Sequence, residues 1–314
     1  MVGLLARRLL RGIVTLILVS MIAFLVAHIL PGNPAQAILG PEADPQSVER
    51  LNHSLGFDKP LAVQYVNWGR DFVTGDFGKD YRAGFSVGHL VKASAAPTAE
   101  LSALALLVGL LAGVPLGFLS GYFHNRVPDR VISIVAALGI AVPSFWLGMV
   151  LIIIFGVQLN VLPVYGYVPL SESVSGNLKS MVLPVVSLAM LNVAVMTRFT
   201  RSGIIEVMRS DYIRTARAKG LTERVVLVRH GARNAMAVPL TVAGLIIGYT
   251  VGGVVAVEYL FSIPGLGKLA VDSVLGQEFA VLQTVMILSA ATVVVANLLV
   301  DIGYQLLDPR VRVS

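Results

Sequence analysis

The amino-acid sequence predicts an all-α membrane protein with six transmembrane helices. Composition is the first observation: of 314 residues, 56% are hydrophobic and only 13% charged, where a soluble domain carries about 25% charged residues. The second is six apolar stretches, at about 10–30, 101–121, 131–157, 181–197, 235–257 and 281–303, near the ~20 residues that a spanning helix requires. The third is that their central portions carry no Asp, Glu, Lys or Arg; charges begin at the ends, as at Glu100, Glu258 and Asp301. Core helices of a soluble protein would not be so many or so long. There are no cysteines, which excludes disulfides, thiolate zinc sites, iron–sulfur clusters and cysteine nucleophiles. A net charge of +6 would suggest a nucleic-acid partner for a soluble chain; here it raises the question of which side of the bilayer is positive, and no nucleic-acid partner is expected.

Along the chain, Arg7, Arg8 and Arg11 precede the first apolar run, and Ala35-Gln36-Ala37 has the look of a signal-peptide cleavage site. The run from Gly12 to Leu30 is long for a signal peptide and five more spans follow, so an uncleaved first helix is expected, with residues 1–30 as N-terminus and helix. Residues 31–97 form a loop with 6 basic and 7 acidic residues, too polar for lipid, in which Tyr65, Trp68, Phe72 and Phe77 are a candidate small core. Residues 98–314 hold the remaining five helices. The second span places Gly109, Gly113, Gly117 and Gly121 four residues apart, and the fifth places Gly244, Gly248 and Gly252 likewise. Such spacing lines one helix face and admits a neighbouring backbone; the main reading is tight packing, the other a face that slides. Pro115, Pro143, Pro184 and Pro239 lie within or beside spans, where the missing N–H permits kinks.

Charge sets the orientation. With both termini cytoplasmic, the inner segments hold 3 Lys/Arg at the N-terminus, 2 in 122–130, 9 in 198–234 and 2 at the C-terminus, which is 16 of 24. The acids run the other way, 6 inside and 12 outside. Positive residues favour the cytoplasmic side, so both termini are expected inside and the 31–97 loop outside.

Several activities are absent from the pattern. Proton pumps and voltage sensors place ionisable groups mid-membrane; the spans here offer amides and hydroxyls such as Asn192, Gln283, Asn297 and Ser187. Ser262–Leu269 has the outline of a phosphate loop but lacks its leading Gly and final Ser/Thr. No HExxH or GxSxG occurs, and the five histidines are scattered. The chain is expected to be no enzyme, to bind no cofactor or metal, and to draw any driving force from elsewhere.

The most distinctive stretch is the inner segment Ser210–Leu221. Ser210 or Asp211 can cap a short helix, Asp211 favours its positive end, and Gly220 stands where a left-handed C-terminal residue is wanted. Arg209, Arg214, Arg217 and Lys219 alternate with small residues and Tyr212, leaving no large apolar face for lipid. A short knob offered to a protein socket fits this pattern better than a helix lying on headgroups.

This stretch resembles the coupling loop of ATP-binding-cassette (ABC) importer permeases, Glu-Ala-Ala, three residues, Gly: Arg214-Thr215-Ala216 and Gly220 occupy those places, with Ala216 and Gly220 matching. His230-Gly231-Ala232-Arg233 stands where the later Ile-x-Leu-Pro element is expected. The chain resembles the dipeptide/oligopeptide/nickel permeases, first (B-type) subunit, over nearly its whole length: Pro31-Gly32-Asn33-Pro34, Leu55–Pro60, Gly75-Asp76-Phe77-Gly78, Pro97–Leu101, Pro143–Gly148, Leu162-Pro163, Pro264-Gly265-Leu266-Gly267, Asn297–Asp301 and Asp308-Pro309-Arg310. It departs at Asn33, where Asp is common, and at Gln277–Ala280, which replaces an Arg-Asp-Tyr-Pro-like run.

The resemblance implies a type I importer permease fold in a bacterial inner membrane, lipid-embedded. It further implies a second, C-type permease subunit, two ATP-binding subunits that use ATP and Mg, and an extracytoplasmic substrate-binding protein. Asp211, Tyr212, Arg214, Thr215, Ala216, Arg217, Lys219, Gly220 and Leu221 would then contact an ATPase subunit, with Tyr212, Ala216 and Leu221 supplying the buried contact. Dipeptides and short peptides are the leading cargo, with nickel, glutathione or haem as alternatives; an ATP-independent channel or secondary transporter is the alternative of another class.

Overall fold

The computed structural model describes residues 2–29, 34–40, 42–80, 84–232 and 235–307. Pro31, Gly32, Asn33, Arg233 and the Asp308-Pro309-Arg310 run lie outside the described residues. The chain folds as helices: α1 Val2–Ile29, α2 Pro34–Leu39, α3 Pro45–Leu55, α4 Leu61–Val73, α5 Val87–Tyr122, α6 Val127–Ala141, α7 Ser144–Leu151 with a π-helical continuation Ile152–Gln158, and α8 Val174–Met208. Then come α9 Asp211–Ala218, α10 Glu223–Val225 running into π-helical Val226–Ala232, α11 Ala237–Phe261, α12 Leu266–Gly276 and α13 Phe279–Leu307.

Four of these, α1, α5, α8 and α13, are long and apolar enough to cross a membrane; two bent pairs bring the number to six if each is one span. The expected 131–157 span is one such pair, with 102° between α6 and the helix that restarts at Ser144. Pro143 explains the break: it has no N–H to continue the ladder, and it drives Val142 to extended φ −85°, ψ 121°. The fifth span bends by 52° between Val242–Gly248 and Gly252–Phe261. Pro184, by contrast, sits inside an unbroken α8.

The helices belong to two compact units. The first comprises Met1–Thr98 and Pro264–Val294. Its core joins Val87 and Val91 of α5 to Val281 and Val285 of α13, with Phe77, Leu266 and Leu269 against them. The Leu266 N–H donates to Thr98 Oγ1 at 2.7 Å. The aromatic residues of the polar loop do pack together: Phe24, Tyr65, Trp68, Phe72 and Phe77 form a run of ring contacts with centroids 4.9–5.8 Å apart. α1 carries exposed Leu10, Ile13, Leu18 and Ile22, as a lipid-facing helix must.

The second unit comprises Ala99–Ile263 and Val295–Ser314. α8 is its axis. α6, α7 and α11 all pack on it, and Met181, Leu183, Leu188 and Ala189 meet Leu101, Val254, Val257 and Phe261 in the core.

Candidate functional site

The second unit builds a continuous arm from α5 and α8, ending in α9. Each glycine of the α5 row abuts α8. A Cβ on Gly109 would stand 2.7 Å from the Asn192 Cβ, on Gly113 2.7 Å from the Met196 Cβ, on Gly117 2.5 Å from the Thr197 carbonyl oxygen, and on Gly121 2.7 Å from the Ile204 Cβ. None of these fits without moving backbone, so the absent side chains are what allow the two helices to touch. The other glycine row differs. Gly244 is buried, but Gly248 and Gly252 would meet nothing within 4 Å. Among the described residues, then, nothing of this chain packs against Gly248 and Gly252, and they flank the α11 bend.

Polar clamps tie the arm at both ends. At one, Asp129 of α6 is 2% exposed. Arg201 of α8 donates to it twice, Nε to Oδ1 at 2.6 Å and Nη2 to Oδ2 at 2.9 Å. Ser120 Oγ of α5 donates to Oδ1 at 2.6 Å, and the Asn125 N–H to Oδ2 at 2.8 Å. His124 Nδ1 lies 3.3 Å from both Arg201 Nη2 and Asp129 Oδ2. One carboxylate thus gathers donors from α5, the turn after it and α8, and a buried charge so fully matched is tolerable where an unmatched one is not.

At the other end, Glu100 of α5 accepts from Tyr167 Oη at 2.6 Å and from Asn177 Nδ2 of α8 at 2.7 Å. Asn177 also donates to the Val168 carbonyl at 2.9 Å. Burial, and then the hydrogen bond to Glu100, push the Tyr167 hydroxyl up to about 12. Sequence reasoning found none of the Asp129, Arg201, Tyr167 and Asn177 contacts.

α9 follows α8 after two residues. Ser210 occupies the N-cap, but its hydroxyl donates back to the Val207 carbonyl at 2.6 Å and does not accept from the helix; the expected side-chain cap is corrected. Gly220 adopts φ +76°, the left-handed conformation expected there, and its N–H donates to the Arg217 carbonyl at 2.9 Å. Ile213 and Ala216 are buried against Val207, Met208 and Val226. Ala216, expected as part of an outward contact, therefore faces the chain's own core, because i, i+3 spacing puts it on the side of Ile213. Tyr212 and Leu221 keep 43% and 39% exposure, and Asp211, Arg214, Thr215, Arg217 and Lys219 are exposed. Arg217 Nε donates to Glu223 Oε1 at 2.7 Å, and Arg214 lies 3.5 Å from Asp211. The apolar pair Ile213/Ala216 in the sequence was the signal for the inward face. Among the described residues no three His, Asp or Glu side chains are grouped to hold a metal.

The arrangement can transmit displacement. The exposed basic face of α9 stands at the end of a pair of helices fastened at both ends. Comparison with known proteins agrees with a transport role. The family model for the binding-protein-dependent transport system inner membrane component matches residues 113–313, and that for the N-terminal part of such membrane components matches 1–87. A probable peptide ABC transporter permease protein of Sinorhizobium fredii is 37% identical over 306 residues, 98% of each chain. A putative peptide transport system permease protein of Brucella abortus is 38% identical over 312 residues, 99% of each. The glutathione transport system permease protein GsiC of Escherichia coli K12 is 39% identical over 306 residues, 98% of this chain and 97% of that one.

Proposed function

The chain belongs to the binding-protein-dependent transport system inner membrane components, and from that premise we propose that it is one half of the membrane pathway of an ATP-driven importer of short peptides. Membership makes it a permease component of an ABC transporter. The finer reading is ours: a bacterial inner-membrane subunit with both termini cytoplasmic, paired with a second permease subunit, driven by two ATP-binding subunits and served by an external binding protein. ATP and Mg are used by the partners.

The observation that carries this reading is α9. It is short, basic on its exposed face, backed by Ile213 and Ala216, and continuous with the clamped α5–α8 arm. A partner that moves α9 moves the arm, because a seam of Cβ-excluding glycines and two polar clamps leave the pair no slack. The chain would hold two packings of similar free energy, and ATP binding by the partners would select between them. That seam argues against sliding of the α5 glycine face on α8.

Peptide cargo is supported by two relatives named for peptide transport. Glutathione is the second reading, favoured by the equally similar GsiC. The test is uptake by the complex purified with its own partners and reconstituted with ATP inside. Labelled di- and tripeptides are expected to accumulate and to compete with one another; exclusive accumulation of glutathione would replace the peptide reading. Uphill uptake by the chain alone, without an ATP-hydrolysing partner, would overturn the proposal.

A further inference from the structure

The first unit holds a cavity of about 770 Å³, within the size range of small-molecule sites, that plays no part in the arm described above. One wall is aromatic: Phe24 and Trp68, with centroids 5.7 Å apart, and Phe77. The charged lining is Glu49, Asp58, Asp71 and Asp76 against a single lysine, Lys59. Asp58 faces His53 at 3.6 Å, and Asp76 Oδ1 accepts from the Gly78 N–H at 3.0 Å. The carboxylates of Glu49 and Asp71 have no hydrogen-bond or ion-pair partner among the described residues.

An independent observation comes from the far side of the cavity. Gln283 of α13 lines it, is 6% exposed, and its amide has no hydrogen-bond partner among the described residues. Buried polar side chains normally find a partner, so a largely buried side chain whose amide makes no protein hydrogen bond and faces an open cavity marks a place for a ligand's polar group.

We propose that this cavity binds a small organic cation carrying a protonated primary amine, of the class represented by the free amino terminus of a short peptide. Three kinds of group converge on that chemistry. An ammonium has three donors and no acceptor; the Gln283 carbonyl oxygen and the Glu49 and Asp71 carboxylates are acceptors without donors. The rings of Phe24 and Trp68 present faces that attract a cation. The excess of carboxylates rejects anions. A bare metal ion is a poor fit, because among the described residues no three carboxylates and histidines converge as ligands. The site goes beyond the transport reading, since resting binding here and uptake by the assembled transporter can each fail without the other.

Trp68 is one of two tryptophans, so Trp146→Phe leaves it as the only reporter. The full-length variant is placed in phosphatidylcholine nanodiscs and titrated with alanyl-alaninamide and with its N-acetyl analogue, which lacks the charge. A saturable change in Trp68 emission is expected for the amine, with the acetylated analogue weaker by about tenfold or more. Asp71→Asn, at an exposed position, is expected to weaken the amine by about threefold, and Gln283→Leu by about tenfold, with helical content unchanged. Equal responses to both probes, no saturation by the amine, or undiminished binding in Asp71→Asn together with Glu49→Gln would overturn the proposal. Should Gln283→Leu not fold, the two exposed carboxylate variants decide alone.

Discussion

Arg201 closes on Asp129 with two parallel hydrogen bonds, Nε to Oδ1 at 2.6 Å and Nη2 to Oδ2 at 2.9 Å, across 72 residues of sequence. The Asp129 side chain is 4% exposed and that of Arg201 27%. Removing one partner of a fully buried pair costs about 3–5 kcal/mol. Because Arg201 keeps some water, Asp129→Ala is expected to destabilise by about 2–3 kcal/mol, read as a lowered unfolding midpoint in detergent. Arg201→Lys is expected to lose roughly half as much, since a point charge cannot reproduce the fork. Reconstituted with its partners, Asp129→Ala should hydrolyse ATP with reduced uptake per ATP. Unaltered stability and uptake in both variants would show that the clamp carries neither load.

The two glycine rows make opposite predictions. At Gly117 a methyl group would meet the Thr197 carbonyl oxygen at 2.5 Å and the Thr200 Cβ at 2.6 Å. Backbone cannot yield as a side-chain tip can, so Gly117→Ala is expected to cost about 1–3 kcal/mol. Gly248 has nothing within 4 Å, and Gly248→Ala in the isolated chain should stay within about 0.5 kcal/mol of the parent. A thermal-shift series on the two purified variants checks both; equal shifts would remove the distinction between the rows.

How much of this was legible in the sequence follows from the range of the interactions. The Gly109–Gly121 row was visible because four-residue spacing on a helix is a local property with a geometric consequence. Gly220 was visible because only its own φ matters. The polar clamps were not: Glu100 read as a charge at the end of a span and Asp129 only as one of the inner acids, and nothing local says that Tyr167, Asn177 and Arg201 return to them. The bend at Pro143 was foreseen as a kink, but a 102° turn that divides the third apolar stretch also depends on how α6 and α7 pack on α8. Ala216 was assigned to the partner contact because α9 was read from its own residues as a knob for a protein socket. The apolar partners of its inner face, Val207, Met208 and Val226, lie on the neighbouring segments.

Gly220 at φ +76° would meet nothing on gaining a Cβ, so substitution there is a backbone effect alone. A left-handed conformation costs an L-residue about 1–2 kcal/mol, more when it is β-branched. Gly220→Val is expected to shift the end of α9 without unfolding the chain. In the assembled transporter, insertion and ATP hydrolysis should persist while uptake falls by about tenfold or more, the size that about 1.4 kcal/mol of lost coupling gives. Unchanged uptake, together with unchanged hydrolysis, would place the coupling contact elsewhere.

Tyr167 offers a test by pH. Its hydroxyl is pushed from 10.0 up to about 12, first by burial and then by the bond to Glu100. A proton held more tightly in the folded state than in the unfolded one stabilises the fold fully below the unfolded value and is lost as pH rises through the folded one. The contribution should therefore be intact below about pH 10 and decline between about pH 10 and 12. Tyr167→Phe has no proton to lose and leaves Glu100 with Asn177 as its remaining side-chain donor among those described. It is expected to be less stable than the parent at neutral pH, and the gap should narrow as alkali removes the parent's advantage. Unfolding midpoints of the two proteins at pH 8 and pH 11 decide this: a gap that stays constant would mean that the Tyr167–Glu100 bond does not clamp that end of the arm.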